Sequence, residues 1–261
     1  RLNGMASYAK NRIDYMAEVA PANEFSAQTG RPYGTYIGLV AERFYDISDF
    51  DNAGNLKEGI PTPSFGSVQP GDVKYSDLDE NGVVDQNDIT QIGKSVYPEW
   101  YYSFGGKIGF KGFDLEVLFQ GAAGASVNLL DNWNQTVAFV NNGNAYEIAK
   151  GAWAYYPTEG IDTRATARYP RLTTQSNENN YQTSSMWIKS ADYLKLRNLE
   201  LGYNFNTIKL QKAGIENLRI YLSGHNLATF SGLLKHYNLD PERISGYPTV
   251  RSYNVGVSIT F

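Results

Sequence analysis

Apolar and polar residues alternate repeatedly along the chain, and the cleanest stretch lies at its end. In residues 251–261, one set of alternate positions holds small polar residues or glycine. From position 253 onward, the other set is large and apolar and consists of Tyr253, Val255, Val257, Ile259 and Phe261. A strict period of two predicts a β-strand with one apolar and one polar face. For a single strand, a half-buried position in a soluble sandwich would be the simpler interpretation.

Repetition of the pattern favours a different interpretation. Further stretches alternate in the same way at residues 101–110, 113–120, 199–205 and 218–223. In the second of these, two acids and a glutamine lie opposite four large apolar side chains, Phe113, Leu115, Val117 and Phe119. Such polar residues suit a water-filled lumen better than a second hydrophobic layer. Residues 2–16 and 34–45 are weaker candidates, so the pattern predicts about seven strands.

The spacing of the predicted strands supports the same interpretation. Counted back from the C-terminus, the connections are roughly 20, 11, 60, 2, 50 and 17 residues long, so long and short ones alternate as in membrane β-barrels. The turns at 111–112 and 206–216 would be periplasmic, and the stretches 46–98, 124–186 and 229–249 would be extracellular. Aromatic residues near predicted strand ends resemble two interfacial girdles; they are Trp100, Tyr101, Tyr102, Phe110, Phe113, Trp187, Phe205 and Phe261.

We therefore predict an all-β chain that forms about seven C-terminal strands of a large transmembrane antiparallel β-barrel with long extracellular loops. Bacterial single-chain barrels have even strand numbers from eight upward, and an open sheet edge cannot face lipid. The prediction therefore includes further strands before residue 1 and treats residues 1–261 as a portion of a longer polypeptide. The start at Arg1, without an initiator methionine or secretory signal, favours the same interpretation.

Composition narrows the function classes. The net charge of −4 argues against nucleic-acid binding, which needs a basic face. The absence of cysteine excludes a disulfide scaffold, a thiolate metal site and a cysteine nucleophile. Mean hydropathy is −0.42, and no segment approaches the ~18 apolar residues of a membrane-spanning helix. Barrel strands also average to polar, because their lipid-facing and lumen-facing residues alternate.

Several motifs give the chain a family resemblance. They are GDVKYSDLDENGVVDQND at 71–88 followed by Ile92-Gly93 and Pro98, RYPRL at 168–172, WIKSADYLKLRNLELGY at 187–203, LRIYLSGHNLATF at 218–230, DPE at 240–242 and the terminal Thr260-Phe261. Together they resemble the C-terminal part of SusC/RagA-type TonB-linked outer-membrane proteins of Bacteroidetes. The resemblance spans nearly the whole chain, in order. One departure is His225, where the family pattern leads us to expect glutamine.

The resemblance implies a function in nutrient uptake through the outer membrane. Family members resemble plugged barrels of the 22-stranded transporter class. They work with a SusD-like surface lipoprotein that closes over the barrel as a lid, and TonB supplies energy through an N-terminal box. Their substrates are oligosaccharides or peptides too large for porins. The resemblance therefore implies that the plug, the TonB box and the remaining strands precede Arg1, that lipid or lipopolysaccharide surrounds the barrel, and that the chain is not an enzyme.

A calcium-binding motif lies inside the first long predicted loop, within residues 71–94. Oxygen-bearing side chains follow the spacing of an EF-hand loop, with glycine at its sixth position. The predicted Ca²⁺ ligands are the side chains of Asp77, Asp79, Asn81, Asp85 and Asp88 and the carbonyl of Val83. Position 12 is aspartate instead of glutamate, as in dockerin-like loops, and Val84 should pack beneath the loop. The alternative interpretation is an acidic surface turn without a metal.

Other candidate sites have simpler explanations. Asp114 and Glu116 lie two residues apart on one predicted face. A glycosidase could place its two catalytic acids at this spacing, but charged residues that line a lumen explain the pair as well. His225 and His236 lack partners at metal-ligand spacing. Candidates for contact with substrate or with the lid are Arg168, Tyr169 and Arg171. Candidates for stacking on sugar rings are Trp133, Trp153, Tyr155 and Tyr156. The alternative functions are a secreted all-β calcium-loop binding module and an outer-membrane barrel hydrolase.

Overall fold

The computed structural model of the protein describes residues 1–19, 23–205, 208–212 and 214–261. The strands, numbered in chain order, are β1 (Leu2–Tyr8), β2 (Thr35–Gly38), β3 (Ala41–Phe44), β4 (Thr62–Pro63), β5 (Val73–Tyr75), β6 (Val83–Val84), β7 (Thr90–Ser95), β8 (Trp100–Phe110), β9 (Phe113–Ala123), β10 (Ser126–Asn128), β11 (Tyr155–Tyr156), β12 (Ile161–Asp162), β13 (Ile188–Ser190), β14 (Tyr193–Phe205), β15 (Asn217–Ser231) and β16 (Ser252–Thr260). The α-helices are α1 (Trp133–Thr136), α2 (Ile208–Lys212) and α3 (Gly232–Tyr237), and 3-10 turns lie at Glu24–Ser26, Ile47–Asp49, Gln86–Asp88, Leu129–Asn132, Val140–Asn142, Glu147–Gly151 and Pro157–Glu159.

Six strands form one antiparallel sheet in the order β1-β8-β9-β14-β15-β16. Two short connections, one at 111–112 and one between β14 and β15, lie at one end of this sheet. Residues 206, 207 and 213 of the predicted turn at 206–216 lie outside the described part of the chain. The three long connections, at 9–99, 124–192 and 232–251, lie at the other end. Long and short connections therefore alternate as predicted, except that the predicted connections of about 50 and 17 residues form one long connection, 9–99. Among the described residues, no helix has the length and apolar character needed to cross a membrane.

The turn between β8 and β9 closes a tight hairpin. Lys111 and Gly112 both have positive φ, 48° and 90°, as a type I′ turn requires at its two central positions. That turn follows the right-handed twist of the strands it joins. A Cβ atom at position 112 would lie 3.0 Å from the Tyr203 ring. Glycine is therefore needed there for space as well as for backbone conformation.

One face of the sheet, called here the apolar face, is covered by large apolar side chains. Phe113 is 54 % exposed and Val255 is 74 % exposed, and no second layer of the described chain covers them. By strand register, the face includes Phe104, Ile108, Phe110, Phe113, Leu115, Val117, Phe119, Leu199, Leu201, Ile220, Leu222, Tyr253, Val255, Val257 and Ile259. An uncovered apolar surface of this extent is what a lipid-facing barrel wall presents. The described chain leaves this face uncovered, as predicted, and its contact with lipid stays a prediction.

The opposite side of the sheet, called the polar face, carries the charged residues of the same strands. It includes Lys107, Asp114, Glu116, Gln120, Lys195, Glu200, Arg219, Ser223, His225 and Asn254. Period-two alternation places these residues directly between neighbours of the apolar face. Two acids of β9, Asp114 and Glu116, therefore share this side of the sheet, as predicted.

The described residues of the three long connections fold together into a loop layer with its own buried core. Trp187 and Tyr169 are fully buried in one cluster with Leu129 and Leu233. A second cluster joins Leu39, Val73, Tyr75 and Val84, and a third joins Tyr45, Phe50 and Val68. Several two-stranded sheets, such as β2 with β7 and β3 with β5, reinforce the layer.

The prediction of a barrel strand at 34–45 is wrong. This stretch contains β2 and β3, which pair with β7 and β5 in the loop layer, so the large sheet has six strands instead of about seven. Leu39 is 1 % exposed, and a Cβ atom at Gly38 would lie 2.3 Å from the Thr183 carbonyl oxygen. Because its buried residues pack inside the loop layer and its exposed residues, Glu42 and Arg43, are charged, the stretch has no apolar face to offer to lipid. The first strand is also shorter than the predicted 2–16, since β1 ends at Tyr8.

The predicted aromatic groups at the strand ends are found, with one exception. Tyr8 and Trp100 pack together at the long-connection end of the sheet. Tyr203 packs on Phe113 and Phe205 at the opposite end, with ring centroids 4.6 and 4.7 Å apart. Trp187 is the exception, because it is buried in the loop layer and its indole N–H donates to the Asn180 carbonyl at 2.8 Å.

Candidate functional sites

The predicted metal loop folds back on itself so that three of its carboxylates meet. Oxygen atoms of Asp77, Asp79 and Asp88 lie within 4.8 Å of one another. These residues occupy positions 1, 3 and 12 of the predicted EF-hand-like loop. Carboxylates this close repel one another unless a cation lies between them.

Backbone N–H groups hold these carboxylates in place. Asp77 accepts from the N–H of Gly82 at 2.7 Å, across the turn that the positive φ of Gly82 allows. Asp88 accepts from Leu78 at 2.7 Å and from Asp85 at 2.8 Å. Since Asp88 is fully buried, its carboxylate has a fixed position on one side of the cluster.

Burial and charge both act on Asp79. Burial raises the pKa of its carboxyl, the N–H of Asn81 lowers it, and the charges of Asp88 and Asp77 raise it further. The net effect is a raised pKa, so the cluster disfavours the charged form of Asp79. A cation between the three carboxylates would remove that repulsion and favour the charged form.

The remaining predicted ligands are arranged less uniformly. Asn81 accepts the N–H of Val83, whose carbonyl is the predicted backbone ligand, at 2.7 Å. Asp85 lies outside the group of three carboxylates, and its side chain accepts the N–H of Asn87 at 2.6 Å instead. Position 9 of an EF-hand loop often reaches its ion through a water molecule. The separation of Asp85 nevertheless departs from the prediction that its side chain binds the ion directly beside Asp77 and Asp79.

Val84 anchors the loop to the loop layer. It is 0 % exposed and packs with Leu39, Val73 and Tyr75, as the sequence predicts for the residue beneath the loop. Its neighbour Val83 is 42 % exposed. The pairing of β6 with β4 adds a second attachment. The acidic loop is therefore mounted on a packed core.

An ion network crosses four strands of the polar face near the short turns. The Arg219 guanidinium donates to both oxygens of Asp114 and, at 2.6 Å, to Glu200. Lys107 lies 3.4 Å from Asp114 and 3.7 Å from Glu116. Gly202 makes room for the arginine, because a Cβ atom there would lie 2.5 Å from its Nη2. Asp114 is thus held by opposite charge on both sides, and no catalytic task is needed to explain it.

A second network ties the connection 232–251 to the polar face. Lys195, which is fully buried, donates to Asp240 at 2.8 Å and to Glu242 at 2.7 Å. Arg197 and Tyr193 also donate to Glu242. Burial would raise the pKa of Asp240, but hydrogen bonds from Lys195 and from the N–H groups of Glu242 and Thr249 bring it down to about 2. The charged form of Asp240 is therefore part of this attachment.

Sequence reasoning missed the second network. Lys195 and Arg197 lie where the register of β14 shifts between Leu196 and Asn198, so a simple alternation does not place them on a face. The signal was present in the sequence, since a strand with two cations two residues apart needs acidic partners. The partners lie more than forty residues later, in the DPE motif.

Some of the remaining candidate residues have structural partners, and others are exposed to solvent. Tyr169 is fully buried and donates to the Thr136 carbonyl. Arg171 pairs with Asp72, which is 0 % exposed. Trp133 packs on Tyr181 at 5.3 Å, and Tyr155 lies beneath Arg164. Arg168, by contrast, is exposed beside His236 and lines a cleft with Trp153. His225 is exposed on the polar face.

Three curated proteins share sequence with the chain, although no family model matches it. TonB-dependent receptor P3 of Formosa agariphila is 27 % identical, over 95 % of this chain and 24 % of its own length. Receptors P26 and P39 of the same organism are 25 % and 26 % identical over 73 % and 63 % of the chain. This chain is a relative of the TonB-dependent receptors. The predicted resemblance is confirmed, and so is the predicted location of the protein in the outer membrane.

Solved structures give the same fold. The RagAB peptide transporter superposes on 100 % of this chain with a TM-score of 0.61 and 20 % identity. The RagAB peptide importer in its closed-closed state superposes with a TM-score of 0.59. The sheet is thus a segment of a large antiparallel outer-membrane β-barrel. The chain spans about a quarter of the length of these proteins, 27 % of the RagAB chain and 24 % of receptor P3.

Proposed function

We propose that this TonB-dependent-receptor relative supplies part of the barrel wall of an outer-membrane importer for oligosaccharides or peptides. The observation that carries the proposal is the two-faced sheet. Its apolar face is uncovered, whereas its polar face is crossed by ion pairs between four strands. That combination suits a wall with lipid on one side and water, or a hydrated plug, on the other.

The partners follow from the family resemblance. A longer polypeptide would supply the plug, the remaining strands and the box that contacts TonB. A SusD-like surface lipoprotein would close over the extracellular end as a lid. The loop layer lies at the end of the sheet where all three long connections meet, so it would meet both the lid and the incoming substrate. The turns at 111–112 and 206–216 would then be periplasmic.

Two alternatives are less well supported. A secreted calcium-loop module would have to leave an apolar sheet face in water, which soluble proteins avoid at this size. A barrel hydrolase would need a free acid pair, but Asp114 is bound to Arg219. The sequence relatives are receptors by name. We therefore propose a transport role without an enzymatic one.

Growth of the source bacterium tests this proposal directly. Deletion of the gene should abolish growth on one oligomeric nutrient, either an oligosaccharide or a peptide mixture, while growth on its monomers continues. Reintroduction of the full gene should restore growth. Unchanged growth on every oligosaccharide and peptide mixture would contradict the proposal, and so would recovery of the protein in a fraction other than the outer membrane.

We also propose that residues 77–88 bind one structural Ca²⁺, which would make residues 71–94 a distinct unit within the loop layer. The support is the convergence of Asp77, Asp79 and Asp88 on a loop fixed by Val84. Asn81 and the Val83 carbonyl would complete the shell, and Asp85 would act through water. Oxygen-only ligands favour a hard cation, and the flexible shell of Ca²⁺ suits this loop better than the strict octahedron of Mg²⁺.

Calorimetric titration of the full-length protein in detergent, after chelator treatment, tests the metal proposal. Ca²⁺ should bind at one site, and Asp79→Asn should weaken binding strongly while leaving membrane insertion intact. Asp51→Asn is the matched control, because Asp51 shapes another exposed acidic turn through the N–H groups of Ala53 and Asn55. Equal Ca²⁺ binding by the Asp79 variant and the unmodified protein would favour the metal-free acidic turn.

A further inference from the structure

A cleft in the loop layer is lined by more cationic than acidic side chains. The cleft encloses about 660 Å³ between segments 41–48, 153–168 and 185–189 and the side chain of Tyr237. Six of the residues that line it are acids or cations: Glu42, Arg43, Asp46, Arg164, Arg168 and Lys189. Four cations therefore face two acids.

Most of these charges are already paired. Arg43 binds Asp49 through both terminal nitrogens. Arg164 binds Asp46 and Asp162 and lies over the Tyr155 ring at 4.0 Å. Glu42 pairs with Lys74 at 2.7 Å. The guanidinium groups of Arg43 and Arg164 are therefore already paired with carboxylates.

Arg168 and Lys189 are different. In the described part of the chain, neither has a carboxylate within 4.0 Å, and the positions outside that part contain no acid. Among the described side chains, the Arg168 guanidinium has one hydrogen-bond partner, the His236 Nδ1 atom, at 3.1 Å. The Lys189 ammonium donates to the Ser185 carbonyl at 3.3 Å. Two cations at one cleft thus lack the counter-charge that their neighbours have.

Burial disfavours the charged form of the Lys189 side chain. It is half-buried, and burial lowers the pKa of its side chain. An anion in the cleft would favour the charged form by adding an opposite charge and hydrogen-bond acceptors. Arg168 and Lys189 line the same space, and a carboxylate can accept from a guanidinium and an ammonium at once.

The other walls of the cleft are apolar or aromatic. They include Phe44, Val73, Trp153, Met186 and Tyr237. Aromatic faces stack on sugar rings and on flat or apolar peptide side chains. The cleft therefore combines a site for an anionic group with a surface for the body that carries it.

We infer that this cleft binds a carboxylate-bearing unit of an oligomer, with Arg168 and Lys189 contacting the carboxylate and Trp153 and Tyr237 covering the attached body. Recognition of a carboxylate rests on the cleft alone. That the oligomer is an imported nutrient rests on the proposed function. A uronic acid unit and a peptide C-terminus both supply the required group, and the experiment below distinguishes them.

Binding to the full-length protein with its lid, purified in detergent, tests the inference with two pairs of probes. One pair is trigalacturonic acid and its methyl ester, and the other is a tripeptide with a free C-terminus and its amide. The acid form of at least one pair should bind roughly tenfold or more tightly than its neutral partner. The pair that shows this difference identifies the source of the carboxylate.

Variants assign the effect to the two cations. Arg168→Gln and Lys189→Gln should each weaken binding of the acid probe roughly tenfold and leave the neutral probe unchanged. Lys189→Arg should retain acid binding, which separates loss of charge from loss of fold. Lys235→Gln is the matched control, because it removes an exposed cation that does not line the cleft.

Two results would overturn the inference: equal affinity for acid and neutral probes in both pairs, or acid binding that survives both glutamine substitutions. The proposed function would fail in a different way, since the unmodified protein would then support growth on no oligomer. Uptake without any preference for acidic oligomers would remove the inference and leave the proposed function standing.

Discussion

The large sheet and the loop layer follow opposite rules of burial. In the sheet, Val255 is 74 % exposed while Asp114 is 6 % exposed. In the loop layer, Trp187 and Leu129 are buried, and the acidic loop at 77–88 faces outward around the buried Asp88. Both regions are built from the same residue types within one chain.

The difference identifies the two solvents. In water, apolar side chains lower the free energy by packing inside, as they do in the loop layer. In a bilayer, lipid tails accept the apolar side chains, so the sheet can turn them outward and keep its charges on the inner side. The boundary between the two rules lies near Tyr8 and Trp100, where aromatic residues of the kind found at membrane interfaces pack together.

The largest expected effect comes from charging the apolar face. Val255→Arg should cost ~2–4 kcal/mol of folding free energy in a bilayer, because it places a cation in lipid. Asn254→Arg is the matched control on the preceding residue of β16, which lies on the polar face, and it should cost far less. Chemical unfolding of the full-length protein in liposomes measures both. Equal losses for the two variants would mean that the two faces do not differ in solvent.

A smaller effect is expected on the polar face. Arg219→Gln should lower stability by roughly 1–3 kcal/mol, since it removes a charge-assisted pair from Asp114, which is nearly buried. Lys107→Gln should cost only a few tenths, because its ammonium is half exposed and lies farther from its partners. Unfolding midpoints in detergent report the difference. A larger loss for Lys107→Gln than for Arg219→Gln would reverse the assigned importance of the two cations.

The smallest effect concerns how the loop layer is tied to the sheet. The pKa of Asp240 is held at about 2, below the value of about 4 for a free carboxyl. Its contribution is therefore complete above about pH 4 and is lost as the pH falls through about 2. Pepsin should cleave the connection 232–251 of the unmodified protein only near the acid end of a series from pH 4 to pH 1.5.

Substitution of the same residue shifts that onset. Asp240→Asn should allow pepsin cleavage already at about pH 4, because Lys195 then has only Glu242 as a charged partner. Glu159→Gln removes an exposed acid from another connection and serves as the control. Cleavage that begins at the same pH in all three proteins would show that Asp240 does not fasten the connection.

Much of the sheet could be predicted from the sequence, because apolar and polar residues alternate along a barrel strand and so indicate which side faces lipid and which faces water. Residues 113–120 and 251–261 needed no distant information to assign a lipid face and a lumen face. Residues 34–45 could not be assigned in this way. Their partners are β5 and β7, and their burial comes from distant residues such as Thr183.

The candidate sites divide along the same line. The acidic loop is local in sequence, so the convergence of Asp77 and Asp79 could be expected from spacing alone. The attachment of Lys195 to Asp240 and the cleft around Arg168 join residues from separate connections. Their existence depends on how the long connections pack together, which no local pattern contains.

The opposite orientation of the two faces of the sheet is the central claim, and one measurement tests it most directly. Residues 1–261 contain no cysteine, so once any cysteine outside them is replaced, single cysteines at each position from 113 to 120 can carry a spin label in the full-length protein in liposomes. Accessibility to oxygen, which dissolves in lipid, should peak at 113, 115, 117 and 119, and accessibility to a water-soluble nickel chelate should peak at the positions between them. Accessibility without a period of two, or labels at 113, 115, 117 and 119 that neither reagent reaches, would contradict the account.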